Sequence, residues 1–95
     1  MADIPELNVI HNPGACRFEV VKDGHVAVLE YQEEEGKIIF THTGVPEVLG
    51  GQGIGSMLAR AGLDHARSQS RKVVPLCSFV AGYIQKHPEY QDLLI

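Results

Sequence analysis

Apolar and polar side chains alternate with period two through most of residues 16–43. That alternation predicts a run of β-strands. In 16–22, Cys16, Phe18 and Val20 fall on one face, and Arg17 and Glu19 on the other. Asp23-Gly24, a favoured two-residue hairpin turn, leads into 25–32, where Ala27, Leu29 and Tyr31 share a face. Glu33-Glu34-Glu35-Gly36 reads as a second turn, and 37–43 as a third strand, with Ile38, Phe40 and His42 on one face by the same period. Leu7 to Ile10 is a possible short edge strand before the Asn12-Pro13-Gly14 turn. After residue 50 the period changes. Ile54, Met57, Leu58 and Ala61 cluster at 100° per residue, and Ala59, Leu63 and Ala66 widen the arc, predicting a helix over 53–69. His65 lies within that arc and reads as a structural histidine. A short strand at 72–76 follows, with Pro75 marking its end or a bulge. Ser78 is the expected cap of a second helix running to about Lys86, closed by His87-Pro88. Tyr90, Leu93 and Leu94 in the tail are available for packing. The order β-β-β-α-β-α predicts an α/β fold with a mostly antiparallel sheet.

The length of 95 residues supports one domain, 1–95, with one core. No apolar run approaches the roughly 20 residues of a membrane span. The acidic start, Met1 to Glu6, lacks an apolar leader, so a cytoplasmic, monomeric protein without membrane contacts is expected. Cys16 and Cys77 have neither disulfide-framework nor metal-ligand spacing, and no metal is expected. The net charge of −4 is uneven. Residues 1–48 hold nine acidic side chains against three basic ones, whereas 49–95 hold three against five. A nucleic-acid face is not supported, while a small phosphorylated ligand in the second half is compatible.

The strongest chemical signal is Gly50-Gly51-Gln52-Gly53-Ile54-Gly55 at the start of the long helix. No Ser, Thr, Asp or Asn is present there to cap it; Gly51 and Gln52 are the expected caps. The first-turn N–H groups therefore lack a side-chain acceptor, and the helix dipole adds positive potential. Glycines let an anion approach the backbone closely, which makes a phosphate cradle. No Lys-Ser/Thr pair follows, so this is not a P-loop, and antiparallel hairpins in place of a βαβ unit argue against a dinucleotide fold.

This turn resembles motif A of the GCN5-related N-acetyltransferase superfamily, Gln/Arg-x-x-Gly-x-Gly/Ala. Gly53 and Gly55 match its glycines, and Gly50 stands where Gln or Arg is usual. The chain is more closely similar to the smallest members of that superfamily, single domains of about this length. The similarity rests on His11-Asn12-Pro13, Arg17-Phe18, His42-Thr43-Gly44-Val45-Pro46, Val74-Pro75-Leu76-Cys77-Ser78-Phe79-Val80 and His87-Pro88-Glu89-Tyr90. The resemblance implies a minimal acetyltransferase-like fold: a meander, a helix, a parallel strand and a C-terminal helix. It also implies binding of acetyl-CoA or coenzyme A, with the pyrophosphate on backbone N–H groups of Gly51, Gln52, Gly53, Ile54, Gly55 and Ser56, next to Gly50. The pantetheine arm would run along Thr43, Gly44 and Val45, and the adenine end would lie near Lys86 and His87.

Cys77, between the last strand and a helix N-terminus, is in a position that favours a thiolate, and so is a candidate acyl acceptor. His42 is a candidate general base for an amine or for Cys77, both expected to face the thioester. Tyr83 is a candidate acid for the departing coenzyme A thiolate. The resulting expectation is an acetyl-CoA-dependent N-acetyltransferase acting on an amine of a small molecule or protein. The alternative is a module that binds coenzyme A without turnover.

Overall fold

The computed structural model describes residues 8–95. The strands are β1 (Ile10–Asn12), β2 (Arg17–Lys22), β3 (His25–Glu34), β4 (Lys37–Gly44) and β5 (Lys72–Pro75), and the helices are α1 (Ile54–Ser68) and α2 (Ser78–Lys86). They form one five-stranded sheet in the order β1-β2-β3-β4-β5. The first four strands are antiparallel, and β5 returns parallel to β4 after the α1 crossover. The β2–β3 turn is Asp23-Gly24, with φ of 52° and 77°, the left-handed pair that a tight hairpin needs. The next turn is shorter than the acidic run suggests. Glu33 and Glu34 still belong to β3, and Glu35-Gly36 alone reverses the chain with φ of 38° and 81°. The edge strand begins at Ile10; Leu7 lies outside the described residues. Cys16 does not join the β2 face, because it sits in a left-handed cap (φ 54°) after a short 3-10 turn that Asn12 caps.

One sheet face carries the core: Phe18, Val20, Ala27, Leu29, Tyr31, Ile38, Phe40 and Val73 are all buried. Helix α1 lays Ile54, Leu58, Leu63 and Ala66 on it, and α2 adds Val80 and Ile84. The approach is close because Gly62 has no side chain. A Cβ there would sit 2.8 Å from Phe40 Cε1 and 2.9 Å from Leu29 Cδ2. Helix α1 ends in a Schellman arrangement. Ser70 takes φ 55°, Arg71 N–H donates to Ala66 C=O and Ser70 N–H to Arg67 C=O. The opposite sheet face presents Arg17, Glu19, Val21, Val26, Val28, Glu30 and Gln32, all exposed or half-exposed. No helix among the described residues is long and apolar enough to cross a membrane.

Candidate active site

The site grows from a strand that outruns its neighbour. Strands β4 and β5 pair from Lys37↔Lys72 to Phe40↔Pro75. The last rung is the Cys77 N–H, which donates to the Phe40 carbonyl at 2.9 Å. Beyond it β4 runs on to Gly44 with only β3 beside it, while the other chain turns into α2. Backbone groups of β4 on that side are therefore left without strand partners, and a cleft opens between the two strand ends.

A β-bulge then decides which side chains face the cleft. Tyr31 pairs with Phe40, but Glu30 pairs with His42, so Thr41 is the extra residue. Its hydroxyl donates to the Glu30 carbonyl at 3.3 Å. One inserted residue reverses the alternation beyond it. Thr43, paired with Leu29, falls on the helix-covered face, and His42 falls on the open face. This corrects the period-two expectation that groups His42 with Ile38 and Phe40. Cys77, not Ser78, is the N-cap residue of α2, since its N–H is committed to the final β4 rung. Its sulfur makes no capping bond. It lies instead 2.9 Å from Thr43 Oγ1, across the cleft, with only 8% of the residue exposed. His42 is exposed on the other side, and its ring rests along Gly44. A Cβ at position 44 would meet His42 Nε2 at 3.1 Å and Val28 Cγ2 at 3.6 Å. The structure thus joins Cys77 to Thr43, and sets His42 on the far side of the same strand.

After Gly44 come Val45, which packs against the core, and Pro46, then a 3-10 turn, Glu47–Leu49, anchored by buried Leu49. Gly50 is extended, and Gly51 has φ 79°. Gly53, not Gly51 or Gln52, is the N-cap of α1, with φ 75° and no side-chain capping bond. Nothing lies within 4 Å of where a Cβ would project from Gly51 or Gly53, so the space over the turn is open. Gln52 is exposed and its side chain is drawn aside, accepting from Lys22 Nζ at 2.5 Å. Ile54 is buried and fixes the helix start. Gly55 faces α2: a Cβ there would come 2.8 Å from the Phe79 ring, so this glycine lets the two helix starts meet.

Comparison with known proteins bears on the family and the fold. The family model for the GCN5-related N-acetyl-transferase matches residues 17–93. The chain belongs to that family. It is 33% identical over 90 residues to the mouse Protein NATD1, a match covering 92% of this chain and 82% of that protein. Its fold matches the NMR structure of a GCN5-like N-acetyltransferase candidate from Staphylococcus aureus. That match has a TM-score of 0.75 at 30% identity, and covers 97% of this chain and 91% of the other. The minimal acetyltransferase fold expected from the sequence is therefore the fold observed.

For a member of this family, a groove of about 270 Å³ between the first turn of α1 and helix α2 gains meaning. Ser56, Ser78, Phe79, Gly82, Tyr83, Lys86 and His87 line it. It thus gathers four of the expected ligand residues: Ser56, Tyr83, Lys86 and His87. Tyr83 stacks on His87 with ring centroids 4.0 Å apart and planes 22° apart. Burial is the main cause that pushes the Tyr83 phenol up, with Arg60 opposing it, so the hydroxyl stays protonated and able to donate. The residues suit an elongated anionic ligand. An open glycine cradle at a helix start takes phosphate, a flat stacked pair takes an aromatic ring, and Lys86 supplies exposed positive charge. Phe79, which the sequence offers only within the Val74 to Val80 block and with no role, is 42% exposed and forms part of the groove wall.

Proposed function

We propose that the protein transfers an acetyl group from acetyl-CoA to an amine, with the thioester beside Cys77 and the amine arriving on the open sheet face beside His42. The observation that carries this reading is the cleft itself. A buried thiol is held at its mouth by Thr43, next to a helix start with unfilled N–H groups. Backbone N–H groups of Gly51 to Ser56 would hold the pyrophosphate, and the free β4 edge at Thr43, Gly44 and Val45 would pair with the pantetheine amides. Tyr83, Lys86 and His87 would hold the nucleotide end. The Cys77 sulfur, its proton first given up to solvent, forms the new bond to the acetyl carbon as the thioester C–S bond breaks. The released thiolate then takes a proton, for which the Tyr83 hydroxyl is the candidate donor. The amine nitrogen next bonds to the acetyl carbon, the Cys77 C–S bond breaks to return the thiolate, and the amine proton passes through water to His42 on the far side of β4 and from there to solvent, which reprotonates Tyr83. Holding the reacting groups together supplies much of the rate. His42 cannot lie beside Cys77 within the cleft, but it can serve a second substrate from behind the strand.

The test is calorimetry with acetyl-CoA and coenzyme A, followed by mass spectrometry of the protein and of mixed amines and basic peptides. Binding is expected, with a stability gain of about 2.7 kcal/mol at a hundredfold excess over Kd. Acetyl label is expected on Cys77 and on an amine. Gly53→Val is expected to weaken binding at least tenfold, since a branched Cβ fills the open cradle and strains a positive φ. Binding without label on any cysteine or amine would favour the coenzyme-binding module instead. Absence of binding would overturn both readings.

A further inference from the structure

The Thr43–Cys77 contact assigns a task to a residue that the sequence offers only as backbone. Cys77 occupies the N-cap position of α2, where a side chain ordinarily turns back to accept from the N–H groups one turn on. Its sulfur does not. It points across the cleft to the Thr43 hydroxyl, 2.9 Å away. Thr43 reaches that place only because the bulge at Thr41 turns it to the helix-covered face, opposite Leu29. A neutral thiol and a hydroxyl can donate either way. An ionised sulfur can only accept, so the hydroxyl proton must then point at it. A hydrogen bond to a charged acceptor is stronger than one between neutral groups.

We propose that Thr43 is the positioning residue of Cys77: its hydroxyl turns the sulfur out of the cap position into the cleft and donates to it when it is ionised. This rests on Cys77 being the reacting thiol. It goes beyond that reading by naming the side chain that readies it. Thr43→Val keeps the branched shape and removes the donor, while Thr43→Ser keeps the donor and removes a methyl group.

The experiment is alkylation of Cys77 by iodoacetamide across pH, read by mass spectrometry in a Cys16→Ser background, with no coenzyme present. Thr43→Val is expected to slow the reaction at pH 7 about tenfold and to displace its pH profile upward, the scale of one bond to a charged sulfur. Thr43→Ser is expected to react within about twofold of the parent, because the donor is retained. A purely packing role has the opposite sign: loosening a buried thiol would speed alkylation. Native or faster alkylation in Thr43→Val, or Thr43→Ser as slow as Thr43→Val, would overturn the assignment. Thr43→Ala repeats the test if Thr43→Val loses its circular-dichroism signature. The result is independent of ligand binding. A protein that binds no acetyl-CoA, yet shows this threonine dependence, loses the transfer reading and keeps the positioning role.

Discussion

The two halves of β4 are built to different rules. From Lys37 to Phe40 the strand is paired on both sides, and Ile38 and Phe40 are fully buried under α1. From Thr41 to Gly44 it is paired on one side only, carries an extra residue, and exposes or half-exposes every side chain. In the first half the one polar side chain is Lys37, half-exposed at the end far from the cleft. The second buries little, but it sets polar side chains on both faces: Thr43 with Cys77 on one, His42 over Gly44 on the other. A bulge costs ladder bonds and makes the register irregular, which the core could not bear. At the end of a strand it re-aims two side chains at once. Core packing and the proposed chemistry thus divide within a single strand, at Phe40.

The division is tested by its largest consequence first. Phe40→Ala removes a fully buried ring against which Gly62 packs, and is expected to cost about 3–5 kcal/mol, measured as a fall in the urea midpoint. Only two residues away, His42→Ala should leave the urea midpoint almost unmoved, within about 0.5 kcal/mol, since the side chain is exposed. Its expected effect is on transfer, a loss of about a hundredfold in kcat/KM toward the amine with acetyl-CoA binding intact. A stability loss of several kcal/mol in His42→Ala, or a native transfer rate, would erase the functional boundary drawn at Phe40.

The strands and helices were legible because the apolar residues mark their own period. Phe18, Val20, Ala27, Leu29, Ile38 and Phe40 are buried on the face that alternation assigns them. The bulge was not legible, for a plain reason. Thr41, His42 and Thr43 are all polar, so no apolar marker shows that the parity has changed after Phe40. The glycine turn was legible as a cradle but not in its capping. The N-cap fell on Gly53, a residue whose φ of 75° no apolar pattern encodes. The start of α2 was misread by one residue because the fate of the Cys77 N–H depends on a strand from elsewhere in the chain. What escaped at the bulge and at the start of α2 is set by register between strands, and at the glycine turn by backbone φ, none of it by the local apolar period.

The smallest predicted effect lies at the other end of the same cross-strand row. Register links Thr43 to Leu29, Leu29 to Phe18 and Phe18 to His11, so one row runs from the cleft to the β1 edge. Where Thr43 reaches Cys77 across the parted strand ends, His11 is clasped. Its ring stacks on Phe18 at 4.3 Å and meets His65 of α1 edge-on at 4.5 Å, and its Nε2 lies 2.6 Å from the Tyr31 hydroxyl. Burial is the main reason that His11 is held below the usual histidine range; His65 lowers it further, and Glu33 opposes both. The unprotonated ring is the form that accepts from the Tyr31 phenol, and burial keeps that phenol protonated by pushing it up. The sign follows from linkage. The unfolded chain, with His11 near 6.5, binds a proton more readily than the folded one, so this stabilising contribution is present above about pH 6.5 and is lost as pH falls through the lowered folded value. Urea midpoints should therefore fall between pH 7.5 and 5, by less than the Phe40 effect. His11→Gln, which keeps a hydrogen-bonding partner for Tyr31 and has no proton to gain, should flatten that slope. Catalysis at the Thr43 end should not follow it, because Leu29 and Phe18 separate the clasp from the cleft. A transfer rate that tracks the state of His11 would mean that the row couples its two ends, and that the closed and open parts of this sheet do not act independently.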